Sequence, residues 1–498
     1  MVVLKPNRVG PFPFPKSNPE TRKKDFSEVE QPYNKEEAMA EADRCLRCGT
    51  PVCIDACPVQ MDVRGMMDAV ANGDLETAYR RIRETNPLLG VTARCCPQLQ
   101  GLCEDACVVR WGGQPLSIGM VQRFVADWEQ FESRQPDPEG DPKTGKKVAV
   151  VGAGPAGLAA AELLQRYGHQ VTIFEDSEHL GGTARYGIPD YHLPKGVLSY
   201  EAERIVDQGA EVKSGVKVGQ DVTLSSLLSE SDVVLVATGS KDVRKLDTPG
   251  AELEGVKDGY AFLEDVYGQG VDAYLGRGKT DLGREILVVG GGDTALDCAR
   301  TALRLSQGHV TVVYRRDEKE MPADPIMVQE AREEGVDFAF LSDPVRYVGE
   351  GGRLTAAIIA AMELGDPDST GRKHPAPIPG KTSEVRCDNV LLAIGRGPDS
   401  FLVKTGGLEA GPKGSIAVDD HYRTSIRGVY ATGDVTTGET LVVKAMGHGR
   451  EAAQRVHEYL MGLDDRHVSL YEQYYAKRTT EEAYQEMLAG RSEELPPD

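Results

Sequence analysis

The chain has 498 residues, of which 40% are hydrophobic and 27% charged, and 78 acidic residues outnumber 57 basic ones for a formal net charge of −21. That length predicts about two to four domains with sizeable cores, and the acidic balance argues against nucleic acid or an anionic membrane as a partner, since both require a basic face. No apolar stretch approaches the roughly 20 residues needed to span a bilayer, so a soluble, cytoplasmic protein is expected.

The opening MVVLKPNRVGPFPFPKS has no apolar signal core and reads as an extended, proline-rich arm. Two stretches then show helical periodicity with few β-branched residues: KEEAMAEADRC and MDVRGMMDAVANGDLETAYRRIRETNP. Around them lie eight of the ten cysteines. The first burst, CLRCGTPVCIDACP, holds Cys45, Cys48, Cys53 and Cys57, and the second, CCPQLQGLCEDAC, holds Cys95, Cys96, Cys103 and Cys107. A Cys-x2-Cys-x4-Cys-x3-Cys-Pro spacing is close to the ferredoxin run, in which the last cysteine ligates a different cluster from the first three. Zinc is the competing reading, although its sites usually use two tidy Cys-x2-Cys pairs. Disulfides compete less well in a long chain without a signal peptide. Iron–sulfur clusters are favoured because the remaining sequence needs an electron outlet.

Residues 132–147, ESRQPDPEGDPKTGKK, read as a linker rich in Pro, Gly and charge. Beyond it one βαβ pattern occurs twice, beginning at Lys146 and at Arg284. The first unit carries Gly152-x-Gly154-Pro155-Ala156-Gly157 after the strand VAVV, and Glu175 closes its second strand. Such a turn lets the backbone approach a pyrophosphate at a helix N-terminus, with the terminal acid on a ribose hydroxyl pair. The second unit reads Gly290-x-Gly292-Asp293-Thr294-Ala295, and its second strand ends in Arg315 and Arg316 in place of an acid. Arginines pair with a 2′-phosphate that an acid would repel, so this unit predicts NADP(H) over NAD(H). A buried strand ending in Thr238-Gly239 and a distant one ending in Gly433-Asp434 suggest that the first unit binds FAD, with Asp434 accepting from a ribityl hydroxyl. The NADP domain would then be inserted between the two parts of the FAD domain.

Together these pieces resemble the small (β) subunit of NADPH-dependent glutamate synthase. The same module occurs in the N-terminal half of dihydropyrimidine dehydrogenase and in the large subunit of bifurcating NADH-dependent ferredoxin–NADP oxidoreductase. The matching stretches are both cysteine runs, VAVVGAGPAGLAAA, HLGGTARYGIPDYHLPK, GGGDTALDCARTALR, VYRRDEKEMPA and GVYATGDVTTGETLVVKAMGHGREAA, spread over roughly residues 40 to 460. The resemblance implies an α/β chain: an N-terminal helical double iron–sulfur domain (1–140), an FAD domain (146–250 and 395–465) and an inserted NADP domain (251–394); the C-terminal tail (466–498) lies outside the resemblance and reads as helical from its composition.

The resemblance further implies two interleaved 4Fe–4S sites. One takes Cys45, Cys48, Cys53 and the distant Cys107; the other takes Cys57, Cys96, Cys103 and Gln122. Cys95 is left spare, and Cys96 is preferred to it because Cys96 directly precedes Pro97. Gly181 and Gly182 are implied near the FAD pyrophosphate. The implied activity is hydride transfer from NADPH to FAD, followed by single-electron transfer through the clusters to a large catalytic subunit in a hetero-oligomer. A reductase feeding ferredoxin, a sulfur compound or another oxidoreductase complex is the alternative. No catalytic side chain is required, because the cofactors carry the chemistry. With Met at position 1 and no cysteine before Cys45, glutamine hydrolysis is expected on another subunit.

Overall fold

The computed structural model describes residues 15–244, 247–277, 282–367 and 372–463. The expected tail at 466–498 and the first 14 residues of the arm lie outside that range. Residues 19–131 are helical and irregular, as the helical periodicity predicts. Lys35–Asp43 starts at a capping box, in which the Asn34 side chain accepts from Glu37 N while Glu37 accepts from Asn34 N. The longer periodic stretch divides at Asn72-Gly73 into helices Val63–Ala71 and Leu75–Arg83, each with an aspartate cap, Asp62 and Asp74. Two further helices, Leu89–Cys95 and Ile118–Phe131, close this region.

The strands in chain order are β1 (Lys147–Val151), β2 (Gln170–Glu175), β3 (Glu211–Ser214), β4 (Val233–Val236), β5 (Asp242–Val243), β6 (Val256–Asp258), β7 (Glu285–Val289), β8 (His309–Tyr314), β9 (Asp337–Phe340), β10 (Ser342–Glu350), β11 (Arg353–Pro367), β12 (Lys373–Arg386), β13 (Asn389–Leu392), β14 (Arg396–Gly397) and β15 (Val429–Ala431). Strands β15-β4-β1-β2-β3 form one parallel sheet and β6-β13-β7-β8-β9 a second. The apolar runs of β1 and β4 are buried because helices cover parallel sheets on both faces. The second sheet lies wholly between β4 and β15 in sequence. Both chain crossings between the sheets run together as the antiparallel pair β5–β14, Val243 opposite Arg396. The plain βαβ reading does not foresee a third, antiparallel sheet, β10-β11-β12, inserted before β13.

A single apolar core joins the cysteine-bearing region to the first sheet. It includes Ile54, Met66, Ile82 and Val121 on one side and Leu158, Leu164, Val443 and Met446 on the other. A buried charge cluster crosses the same joint: Glu162 binds Arg83 and Arg450, each at 3.0 Å. The N-terminal segment straps the second sheet's domain, with Arg22 on Glu334 at 2.9 Å, and holds the cysteine region through Glu28 to Arg94 and Arg123.

Candidate functional site

The turn after β1 is built for close approach. A Cβ on Gly157 would lie 1.9 Å from the Gly152 carbonyl oxygen, and one on Gly152, whose φ is +104°, would lie 2.4 Å from the Ala237 oxygen. Helix Pro155–Arg166 therefore starts hard against the strand, with Gly154 as its cap and its first N–H groups open. Gly181 N donates to Ala153 O, and a Cβ on Gly182 would lie 2.8 Å from Gly154 Cα, so both glycine pairs share one wall. Glu175 is buried at the end of β2. One of its oxygens accepts from Ala153 N at 2.7 Å and the other from Ser177 N at 2.9 Å. It thus ties β2 to the glycine turn, and burial raises its carboxyl above the usual range. Gly157→Ala is expected to cost at least about 1–3 kcal/mol and to yield protein that loses its yellow flavin on gel filtration, because the clash is with backbone.

Polar atoms left without partners mark where a ligand fits. Thr238 Oγ1, Thr432 Oγ1 and Asp434 Oδ1 are buried with no hydrogen bond, and each such group is costly unless a ligand or water meets it. Burial pushes the Asp434 carboxyl up to about 7. A pocket beside β2 is lined by Gly152, Thr238 and three residues the sequence reading did not single out: Asp176, Lys217 and Lys241. Lys241 Nζ donates to both Asp176 oxygens, at 2.8 and 2.6 Å. These groups suit the hydroxyls and pyrophosphate of FAD.

The second turn repeats the design: a Cβ on Gly290 would lie 2.1 Å from the Ala393 oxygen, and Gly292 caps helix Asp293–Ser306 with buried Ala295 in its first turn. Arg315 is exposed at the end of β8, whereas Arg316 is buried and its Nε donates to Lys373 O at 2.8 Å. Both line a cavity of about 870 Å³ that also reaches Arg372, Arg244 and Arg396, and that extends to Asp434, Thr440 and Leu441 of the first domain. A neighbouring cavity of about 240 Å³ shares the walls Thr183, Asp293, Thr294, Thr440 and Leu441 and is also lined by Cys95, Cys96 and Pro97.

The larger mutual influences among the thiols run within two groups, with smaller ones between them. Burial, then Cys45, Cys107 and Cys48, pushes the Cys53 thiol up to about 12. Burial and Cys107 raise Cys48, and burial chiefly raises Cys45, with Cys48 and Cys107 adding. Cys103 is raised well above its usual range by burial, Cys57, Glu104, Cys96 and, least, Cys53; Cys96 likewise by burial, Cys57, Cys95 and Glu104. Buried thiols that repel one another as thiolates are what an iron core compensates, because metal ligation requires the deprotonated form. Cys95 is also raised by burial, to about 12, but the charges acting on it are Lys195, Arg94, Asp297 and Glu28, and it meets neither Cys57 nor Cys103 among them. Gln122 is buried, and its amide nitrogen donates to Leu89 O at 2.7 Å and Thr92 Oγ1 at 2.8 Å, which leaves its oxygen as the atom for a metal.

Two glycine-turn cradles, the second opening on a cavity that reaches Asp434, together with two bursts of thiols, define a flavin- and pyridine-nucleotide-dependent iron–sulfur oxidoreductase. Residues 146–449 match the family model described as pyridine nucleotide-disulphide oxidoreductase, and residues 22–134 match dihydropyrimidine dehydrogenase domain II, 4Fe-4S cluster. The glutamate synthase [NADPH] small chain of Halomonas elongata is 36% identical over 452 residues, 88% of this chain and 94% of that protein. The NADP(+)-dependent formate dehydrogenase subunit beta of Moorella thermoacetica is 37% identical, over 82% of this chain and 60% of that protein. FprA from Mycobacterium tuberculosis shares the fold at a TM-score of 0.54 and 20% identity, over 67% of this chain and 89% of that one. The chain belongs to the family of NADPH-dependent glutamate synthase small chains, and it is an oxidoreductase of that type. No helix among the described residues is long and apolar enough to cross a membrane.

Proposed function

We propose that this chain is the electron-input subunit of a cytoplasmic hetero-oligomer, taking hydride from NADPH and delivering single electrons to a large catalytic subunit of glutamate synthase. FAD, when bound, accepts the hydride, and 4Fe–4S clusters pass electrons on one at a time. The chain's own part is placement and electrostatics. Gly152, Gly154, Pro155, Ala156 and Gly157 cradle the FAD pyrophosphate together with Gly181 and Gly182, while Glu175, Thr238, Gly239, Gly433 and Asp434 border its sugar and ribityl chain. Gly290, Gly292, Asp293, Thr294 and Ala295 receive NADPH, with Arg315 and Arg316 at the 2′-phosphate end. Cys45, Cys48, Cys53 and Cys107 hold one cluster; Cys57, Cys96, Cys103 and Gln122 hold the other. The domain limits follow as 1–140, 146–250 with 395–465, and 251–394.

The observation that supports this reading is the shared wall between two cavities: one opens on the second glycine turn and reaches Asp434, the other opens on Cys95 and Cys96. A path from nucleotide to flavin to cluster needs that adjacency. Purified chain mixed with NADPH, glutamine, 2-oxoglutarate and a glutamate synthase large subunit is expected to form glutamate, and to form none without that subunit. Equal NADPH oxidation with ferredoxin, and indifference to the large subunit, would reverse the choice of partner. The identity to the formate dehydrogenase subunit favours that second reading, a reductase serving another complex.

A further inference from the structure

The inserted antiparallel sheet returns to the mouth of the NADPH cavity. At the start of β12, Arg372 Nη2 donates to Tyr314 Oη at 3.1 Å and to Glu320 O at 3.4 Å. Tyr314 Oη donates in turn to Glu320 O at 2.9 Å, Lys373 N donates to Glu320 Oε2 at 3.4 Å, and Arg316 Nε donates to Lys373 O. These bonds fasten the base of β12 to the loop after β8. The Tyr314 ring lies under the glycine turn, 2.4 Å from where a Cβ on Gly291 would sit. Arg315, Arg316 and Arg372 therefore face one cavity from two different sheets.

Their situations differ. Arg316 is buried with its Nε committed, and Arg315 is exposed near Asp343, whose carboxyl burial raises and Arg315 partly lowers. Arg372 is half-buried, and the two bonds that its Nη2 donates help to orient it. A guanidinium is a planar fork of five N–H donors, and one already held loses little freedom when a phosphate arrives.

We propose that Arg372 is a specificity-determining residue that contacts the 2′-phosphate of NADPH, so that the preference for NADPH over NADH resides partly in the inserted sheet. This rests on the NADPH assignment above. The test uses the full-length, flavin-loaded chain and two probes, adenosine 2′,5′-bisphosphate and AMP, with dissociation constants from calorimetry. Wild type is expected to prefer the bisphosphate. Arg372→Ala should weaken the bisphosphate about tenfold or more, as befits one charge-assisted contact, and AMP less than about twofold. Arg372→Lys should regain part of the loss, since it keeps the charge without the fork. Equal loss for both probes would overturn the proposal, because Arg372 would then only hold Tyr314. An unchanged preference in Arg372→Ala, with the preference lost in Arg315→Ala, would overturn it and leave the NADPH assignment standing. A wild type that binds both probes equally would sink the NADPH assignment itself.

Discussion

Cys107→Ala is expected to remove one of the two clusters, halving bound iron from about eight to about four per chain, and the lost signal should be that of the Cys45–Cys53 site. Cys107 lies four residues from Cys103 and some fifty from Cys53, so sequence proximity alone would group it with the second burst. Their backbone settings differ. Cys103 opens the short helix Cys103–Ala106, and Cys107 follows it in extended conformation, at φ −62° and ψ 123°. Cys57 and Cys96 act more strongly on Cys103 than Cys53 does, while Cys107 acts on Cys48 and Cys53. Cys57→Ala should produce the complementary loss. Cys95→Ala should lose no iron, because the charges acting on its thiol include neither Cys57 nor Cys103. Iron analysis and low-temperature electron paramagnetic resonance of the reduced variants read all three. Loss of both signals in Cys107→Ala, or loss of iron in Cys95→Ala, would redraw the ligand sets. Gln122→Leu should shift the spectrum of the Cys57 site only.

Glu162→Gln should lower stability by about 3–5 kcal/mol, the usual cost of leaving buried charge uncompensated. Glu162 is fully buried, and its partners Arg83 and Arg450 are each 1% exposed. They come from three places in the chain: helix Leu75–Arg83, helix Pro155–Arg166 and helix Val442–Met461. The variant should therefore loosen the joint between the iron–sulfur region and the flavin sheet, seen as an earlier urea midpoint and as faster proteolysis near the 132–147 linker. Burial raises the Glu162 carboxyl, but Arg83, Arg450 and Arg166 outweigh it and hold the group below its ordinary 4.5. Because the folded value is depressed, the stabilisation is fully present above about pH 4.5 and is lost as pH falls through the folded value. Glu334, held low by Arg300 and Arg304 despite burial, has the same sign. The acid limb of the stability curve should flatten in Glu162→Gln, and an unchanged limb would assign acid lability elsewhere.

Local chemistry makes much of this protein legible in its sequence. A glycine turn between an apolar strand and an Ala-rich helix has few uses, so Gly152–Gly157 and Gly290–Ala295 pointed to dinucleotide cradles, and the structure places each at a helix start against its strand. The cysteine spacing pointed to clusters because thiols at those offsets match a ferredoxin run. The helical stretch through residues 61–87 was also legible, although its division at Asn72-Gly73 follows from local cap and turn chemistry that periodicity averages over.

The rest depended on residues far apart in sequence meeting in space. Arg372, Lys241 and Asp176 carry no motif, and they enter the site only because β12 folds back onto β8 and because Lys241 reaches across to the end of β2. The charge at the end of β8 suggested two equivalent arginines, yet packing buries Arg316 against the Lys373 carbonyl and leaves Arg315 exposed. The inserted β10–β12 sheet has no short-range signature, since antiparallel pairing is satisfied by partners that only the fold brings together. By itself the sequence determined which cofactor chemistries the chain has cradles for, because those depend on turns and spacings within a few residues. The tertiary structure alone decided how the two cavities share a wall and which buried charges lock the domains, because these are set by desolvation and long-range packing.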